Sequence, residues 1–130
     1  MARSDRRRVL DTLGPLETKI MTAVWKDRFG SSFVVRDVQA VVPELAYTTV
    51  MTTLNRLTAK GLLEASHIAG ERAHRYRVAG TPSEYLTALS RRELEGLVDR
   101  FGDSALAALA ARLDELSPDE LARLRGLAQR

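Results

Sequence analysis

Six side chains in one short stretch have the types and spacing to do chemistry: Thr48, Thr49, Thr52, Asn55, Arg56 and Lys60, within AYTTVMTTLNRLTAKG at residues 46–61. That chemistry is recognition rather than bond making. A threonine hydroxyl donates or accepts at a base edge and its methyl packs on a thymine methyl, asparagine pairs bidentately with adenine, and arginine and lysine neutralise phosphate and set register. The stretch reads as a helix, and its five threonines, at 48, 49, 52, 53 and 58, carry a penalty, because threonine is β-branched and among the weaker helix formers. Glu, Lys and Gln would make a solvated face at lower cost. The penalty makes sense if slim side chains let the helix approach the floor of a major groove.

On a helical wheel Leu54 and Leu57 fall on the same side as Val50, flanked by Tyr47, Met51 and Thr58. That side is the expected core. Thr48, Thr52, Asn55 and Ala59 lie opposite, Thr49 and Arg56 form one shoulder, and Thr53 lies nearer the core. The plain alternative is an ordinary helix whose hydroxyls bond back to carbonyls one turn earlier.

Further along, LLEASHIAGERAHRYRV holds two β-type runs, Leu63 to Ile68 and Ala73 to Val78, around a turn containing Gly70. Tyr76 and Val78 alternate with Arg75 and Arg77, so one face should pack and the other be basic, and Arg72 stands beside the turn where phosphate would be met. A solvated charged ribbon is the bland reading of the same pattern. His67 and His74 on neighbouring strands are two potential metal ligands, more ordinarily surface residues of a wing, and we expect neither metal nor cofactor. No HExxH, phosphate-binding glycine loop or Ser-His-Asp order is present, and the carboxylates are scattered rather than paired, so an enzyme is not expected.

The elements that must position these residues are legible on both sides. Pro15 suits a first helical position, and Leu16, Ile20 and Val24, widened by Met21 and Trp25, make a first amphipathic helix. A loop around Phe29, Gly30, Ser31 and Ser32 leads to a second, with Val35, Val38 and Val41 or Val42 apolar, ending near Pro43. The threonine-rich helix is the third, stopped by Gly61. Three helices followed by a two-stranded ribbon is the order of a winged helix-turn-helix domain, expected over residues 13–80. Before it, MARSDRRRV has Arg3, Arg6, Arg7 and Arg8 without periodicity and reads as a flexible basic arm over residues 1–12, able to touch DNA.

Residues 81–130 read as wholly helical. TPSE at 81–84 and SPDE at 117–120 each combine a hydroxyl cap, a proline at the first helical position and a glutamate two residues later. Their stripes include Leu94, Leu97, Val98, Phe101, Leu106, Leu109, Leu113, Leu121 and Leu124, too thin to enclose a core alone, so a second copy of the chain is the simplest partner. The expected architecture is mostly α: an N-terminal winged helix and a C-terminal helical dimerisation domain.

Bulk composition agrees. The chain's 130 residues and 45% apolar content suffice for a core, and there is neither a membrane-length apolar run nor a signal-peptide pattern, so a cytoplasmic protein is expected. With no cysteine there is no disulfide, thiolate metal site or cysteine nucleophile. Residues 1–80 hold 13 Lys+Arg against 8 Asp+Glu, residues 81–130 hold 7 against 9, and only the front half is suited to a polyanion.

The sequence resembles the BlaI/MecI penicillinase-repressor family of winged-helix regulators, from LGPLETKIMTAVW through LAYTTVMTTLNRLTAKGLL and RAHRYRV to the helical tail. Tyr47, Thr48, Thr49, Val50, Thr52, Leu54, Arg56, Leu57, Lys60 and Gly61 match the family's recognition-helix pattern position by position. The resemblance implies a homodimeric repressor on palindromic promoter operators, of β-lactamase or cell-envelope-stress genes. It also implies Thr48, Thr49 and Thr52 near bases, Arg56 and Arg72 near backbone, and the tail as dimer interface, with no small-molecule substrate. Relatives that control penicillin resistance are relieved by cleavage of an Asn-Phe bond, whereas this chain has no such dipeptide and carries Leu109-Ala110 in its place. Copper-sensing relatives use C-terminal cysteines, absent here. The alternative from another class is a winged-helix module whose third helix docks a protein.

Overall fold

The computed structural model describes residues 4–67, 69–70 and 74–129. The chain divides into two units, 1–88 and 89–130.

In the first unit, α1 (Asp5–Leu10) is a short helix where a flexible arm was expected. Ser4 Oγ accepts from Arg7 N at 3.2 Å, Val9 is fully buried, and the Arg6 guanidinium lies 5.5 Å from the centre of the Trp25 ring. A six-residue helix with one buried anchor is too short to display a period, which is why the pattern missed it. Arg3 lies outside the described residues.

α2 (Pro15–Trp25) starts at its proline, and Glu17 in its first turn accepts from Gly14 N at 3.2 Å. Ile20, Met21 and Val24 are buried, while Leu16 is on the rim. α3 (Val35–Val41) is begun by Asp37, whose Oδ2 accepts from Val34 N at 2.9 Å, and it buries Val35 and Val38. α4 (Tyr47–Ala59) is the threonine-rich helix, with Val50, Thr53, Leu54 and Leu57 buried. It stops at Gly61, whose φ of 85° lets Gly61 N reach Thr58 O and Leu62 N reach Leu57 O, both at 3.0 Å. That is a Schellman end, and it turns the chain into the hairpin.

β1 (Leu63–His67) and β2 (His74–Val78) pair antiparallel, with Ala65 opposite Tyr76 and His67 opposite His74. The expected strands also included Ile68 and Ala73, which lie outside the described residues. Phe33, just past the loop, adds a bridge to Tyr76 through Phe33 N→Tyr76 O at 2.9 Å and Tyr76 N→Phe33 O at 2.8 Å. The core gathers Val9, Ile20, Met21, Phe33, Val38, Val50, Leu54, Leu57 and Leu63. This is a winged helix: α2, α3 and α4 around one core, which Val9 of α1 joins, with a hairpin after α4.

α5 (Pro82–Phe101) begins in this unit, and the expected boundary after residue 80 moves to after Ala88. Tyr85 on its first turn is buried and its hydroxyl is 2.8 Å from Thr12 Oγ1, so the start of α5 packs with the N-terminal residues. In the second unit a glycine with φ of 60°, Gly102, separates α5 from α6 (Asp103–Asp114). α7 (Pro118–Ala128) opens with the reciprocal cap expected from SPDE: Ser117 Oγ accepts from Glu120 N at 3.2 Å, and Glu120 Oε1 accepts from Ser117 N at 3.1 Å. Among the described residues no helix is long and apolar enough to cross a membrane.

Candidate nucleic-acid interface

The five threonines of α4 divide into two groups. Thr53 Oγ1 donates to Thr49 O at 2.8 Å and Thr58 Oγ1 donates to Leu54 O at 2.9 Å, the back-bonding pattern of hydroxyls that serve the helix itself. Thr48 and Thr52 are exposed and Thr49 half-buried, and their hydroxyls make no hydrogen bond among the described residues. Arg56 on the same side is exposed and unpaired among the described residues. At the N-terminal end of α4, the Arg36 guanidinium from α3 sits 5.5 Å from the centre of the Tyr47 ring. That is a cation–π contact tying the first helix of the pair to the start of the second, and the sequence offered no signal for it beyond an arginine in the first turn of α3.

Three of the expected contact residues have partners within the chain. Lys60 is not a free cation: its Nζ lies 2.8 Å from Glu17 Oε2 and donates to Oε1 at 3.0 Å, and Glu17 is only 8% exposed. The ammonium is held by a buried carboxylate of α2, which fastens the end of α4 to the body. Arg75 is half-buried and donates to Ser32 Oγ at 3.3 Å, which ties the wing to the loop before α3. Arg77 is neutralised by the cross-strand Glu64, so the ribbon's second face is less basic than its arginines suggest. Arg72 lies outside the described residues.

Asn55 is exposed on the outer face of α4, and its Oδ1 accepts from the hydroxyl of Tyr76 at 2.9 Å. Burial pushes the Tyr76 phenol above its ordinary pKa, with neighbouring Tyr47 adding to the rise, so the hydroxyl keeps its proton and remains a donor. Strand alternation predicted that Tyr76 would pack, but a partner on another element has no sequence signature. His67 and His74 face each other edge-on with ring centres 5.5 Å apart. Among the described residues no group of three or more His, Cys, Asp or Glu is placed to hold a metal.

The chain matches the penicillinase repressor family over residues 13–130. It belongs to that family. The transcriptional regulator BlaI of Mycobacterium tuberculosis is 34% identical over 119 residues, covering 89% of this chain and 82% of its own. Among solved structures, TrmBL2, an archaeal chromatin protein described as showing a novel mode of DNA binding, shares the fold at 17% identity. Its TM-score is 0.51, over 88% of this chain and 45% of that one. Membership makes this chain a DNA-binding transcriptional repressor of the penicillinase-repressor kind.

In the second unit, the stripe residues Leu94, Leu97, Val98, Phe101, Leu106, Leu109, Leu113 and Leu124 are exposed on the single chain and Leu121 is half-buried. Neither α6 nor α7 has a buried residue. Phe101 is 57% exposed and lines, with Leu94, Leu97, Val98 and Leu109, a concavity of about 440 Å³ whose walls are almost wholly apolar.

Proposed function

We propose that this penicillinase-repressor-family chain acts in the cytoplasm as a homodimer, gripping a two-fold promoter operator with one α4 in each half-site. In that role it needs no cofactor and carries out no catalytic step. The observation that carries the reading is the outer face of α4, where Thr48, Thr49 and Thr52 have hydroxyls uncommitted among the described residues and Arg56 stands beside them. These side chains are short enough for the helix to lie deep in the major groove, and hydroxyl and methyl both have base-edge partners there. Thr48, Thr49, Thr52 and Asn55 would face bases, Arg56 and the wing's Arg72 and Arg75 the backbone. The apolar faces of α5, α6 and α7 would be covered by the same faces of a second chain, an isologous contact that sets the two recognition helices on a two-fold axis. Half-sites would then lie about one helical turn, roughly 10 bp, or a multiple of it apart.

Binding to genomic fragments at two salt concentrations tests this directly, with sedimentation for the oligomeric state. A repressor gives a few strongly retained fragments with inverted-repeat sequence and affinity that falls with salt. Absence of any salt-dependent DNA affinity would instead favour a module whose α4 face docks a protein.

A further inference from the structure

We propose that the wing's Tyr76 is a positioning residue for base reading, holding the Asn55 amide so that its Nδ2 hydrogens point outward at a base edge; this rests on the DNA-reading role of α4.

Tyr76 is fixed from several directions. It is 2% exposed, its main chain is bridged to Phe33 in both directions at 2.8 and 2.9 Å, and its ring stacks on Phe33 with centres 6.2 Å apart. Its hydroxyl therefore has little freedom to follow a moving partner. Asn55 is the opposite case: an exposed side chain whose terminal torsion is broad and roughly two-fold, so that oxygen and nitrogen could exchange places. The hydrogen bond from Tyr76 Oη to Asn55 Oδ1 at 2.9 Å breaks that symmetry. With a proton donor on the wing side, the oxygen turns inward and the two Nδ2 hydrogens turn outward.

The oxygen is not used up by this contact. Amide oxygen has two lone pairs, so Oδ1 can accept from Tyr76 and from a base together. An outward N–H beside a remaining lone pair is the pairing that recognises adenine at N7 and N6. Among neighbours on the outer face, Thr52 and Ala59 cannot supply that bidentate pattern. The wing, usually a backbone-contacting element, would thus determine sequence preference indirectly, through one buried hydroxyl and a helix residue 21 positions away.

The test selects duplexes from a random pool with the full-length protein and scores base preference at each half-site position, for wild type, Asn55→Ala, Tyr76→Phe and the double variant. Wild type should prefer adenine at one position, Asn55→Ala should lose that preference, and Tyr76→Phe should lower it on the order of 5-fold or more. The double variant should match Asn55→Ala alone, because the hydroxyl acts only through the amide. In Tyr76→Phe, preferences elsewhere in the half-site and affinity for random DNA should stay unchanged. Asn55→Asp gives an arm that leaves the wing intact: it still accepts from Tyr76 but presents no N–H, and should replace adenine by cytosine at that position. Unaltered preference in Tyr76→Phe, unaltered preference in Asn55→Asp, or equal losses at every position and on random DNA would each overturn the proposal while leaving the repressor reading in place. A wild type without any base preference overturns both.

Discussion

Replacing Lys60 by alanine should unfold the protein more easily without changing how its DNA affinity depends on salt. The pair it breaks is unequal: Glu17 is 8% exposed, whereas the Lys60 side chain retains 37% of its exposure. Removing one partner of a fully buried ion pair costs about 3–5 kcal/mol, because the remaining charge is stranded. Here water still reaches the ammonium, and Glu17 keeps the Gly14 amide at 3.2 Å. We expect roughly 1–2 kcal/mol, between an exposed and a buried pair. In a domain of this size that lowers Tm by about 5–12 °C. Thermal and urea unfolding followed by circular dichroism reads the stability, and binding from low to moderate salt reads the slope. If Lys60 were instead a phosphate contact, stability would stay within about 0.5 kcal/mol of wild type and the slope would fall by about one. That pair of results would refute the assignment. A Glu17→Gln partner variant closes the cycle, and additive losses would show that the two residues do not interact.

Other expectations follow from the same geometry. Thr52→Ala should weaken operator binding by about 1 kcal/mol or more per half-site while leaving random-DNA affinity nearly unchanged, whereas Thr53→Ala should act on stability, since Thr53 is buried and bonded to Thr49 O; competition titrations against operator and random duplexes separate the two. A chain ending after Ala88 should be a folded monomer by sedimentation, with operator affinity steeply reduced for want of linkage. Ending it at residue 80 should in addition lower Tm, because Tyr85 and its contact with Thr12 are lost. Glu120 is held below the ordinary glutamate range chiefly by the Ser117 amide it accepts from, so its capping contribution is present above that range and is lost as pH falls through the lowered value. Glu120→Gln should abolish that acid limb, read as the pH dependence of the Ser117 amide resonance.

Much of this was legible beforehand where pattern is local and repeated. The Val50, Leu54 and Leu57 face, the stop at Gly61, the start at Pro15 and the SPDE cap each follow from a rule spanning a turn or two of helix, and each stands where that rule put it. Pairings across the chain were not legible. Lys60 and Glu17 are 43 positions apart, as are Arg75 and Ser32, and nothing in composition distinguishes a lysine that will meet a buried carboxylate from one that will meet phosphate. α1 was missed for another reason, since six residues hold too few apolar positions to establish a period. The split among the threonines needed the structure too. A wheel places Thr58 beside the core, but only the carbonyl it bonds shows that it serves the helix rather than a ligand.

These pairings change what the front half's charge can do. Counted from sequence, residues 1–80 carry a surplus of five positive charges, which would suggest an electrostatic clamp. Yet Lys60 is bound to Glu17, Lys19 to Glu44, Arg77 to Glu64 and Arg7 to Asp11. Charges already paired with carboxylates attract polyanions only weakly, since a phosphate must compete with an existing partner. Counterion release scales with phosphates neutralised, and it supplies nearly all sequence-independent affinity. Because the surplus of five already nets every carboxylate against a cation, these pairings do not lower it. They leave the hold on any DNA to the other cations, Arg56 among them, and discrimination to base contacts. Short hydroxyl side chains along α4 suit that need, because discrimination comes from hydrogen bonds and methyl contacts that a lysine-lined face would not make. The helix-propensity penalty of the threonines thus serves base discrimination rather than general affinity.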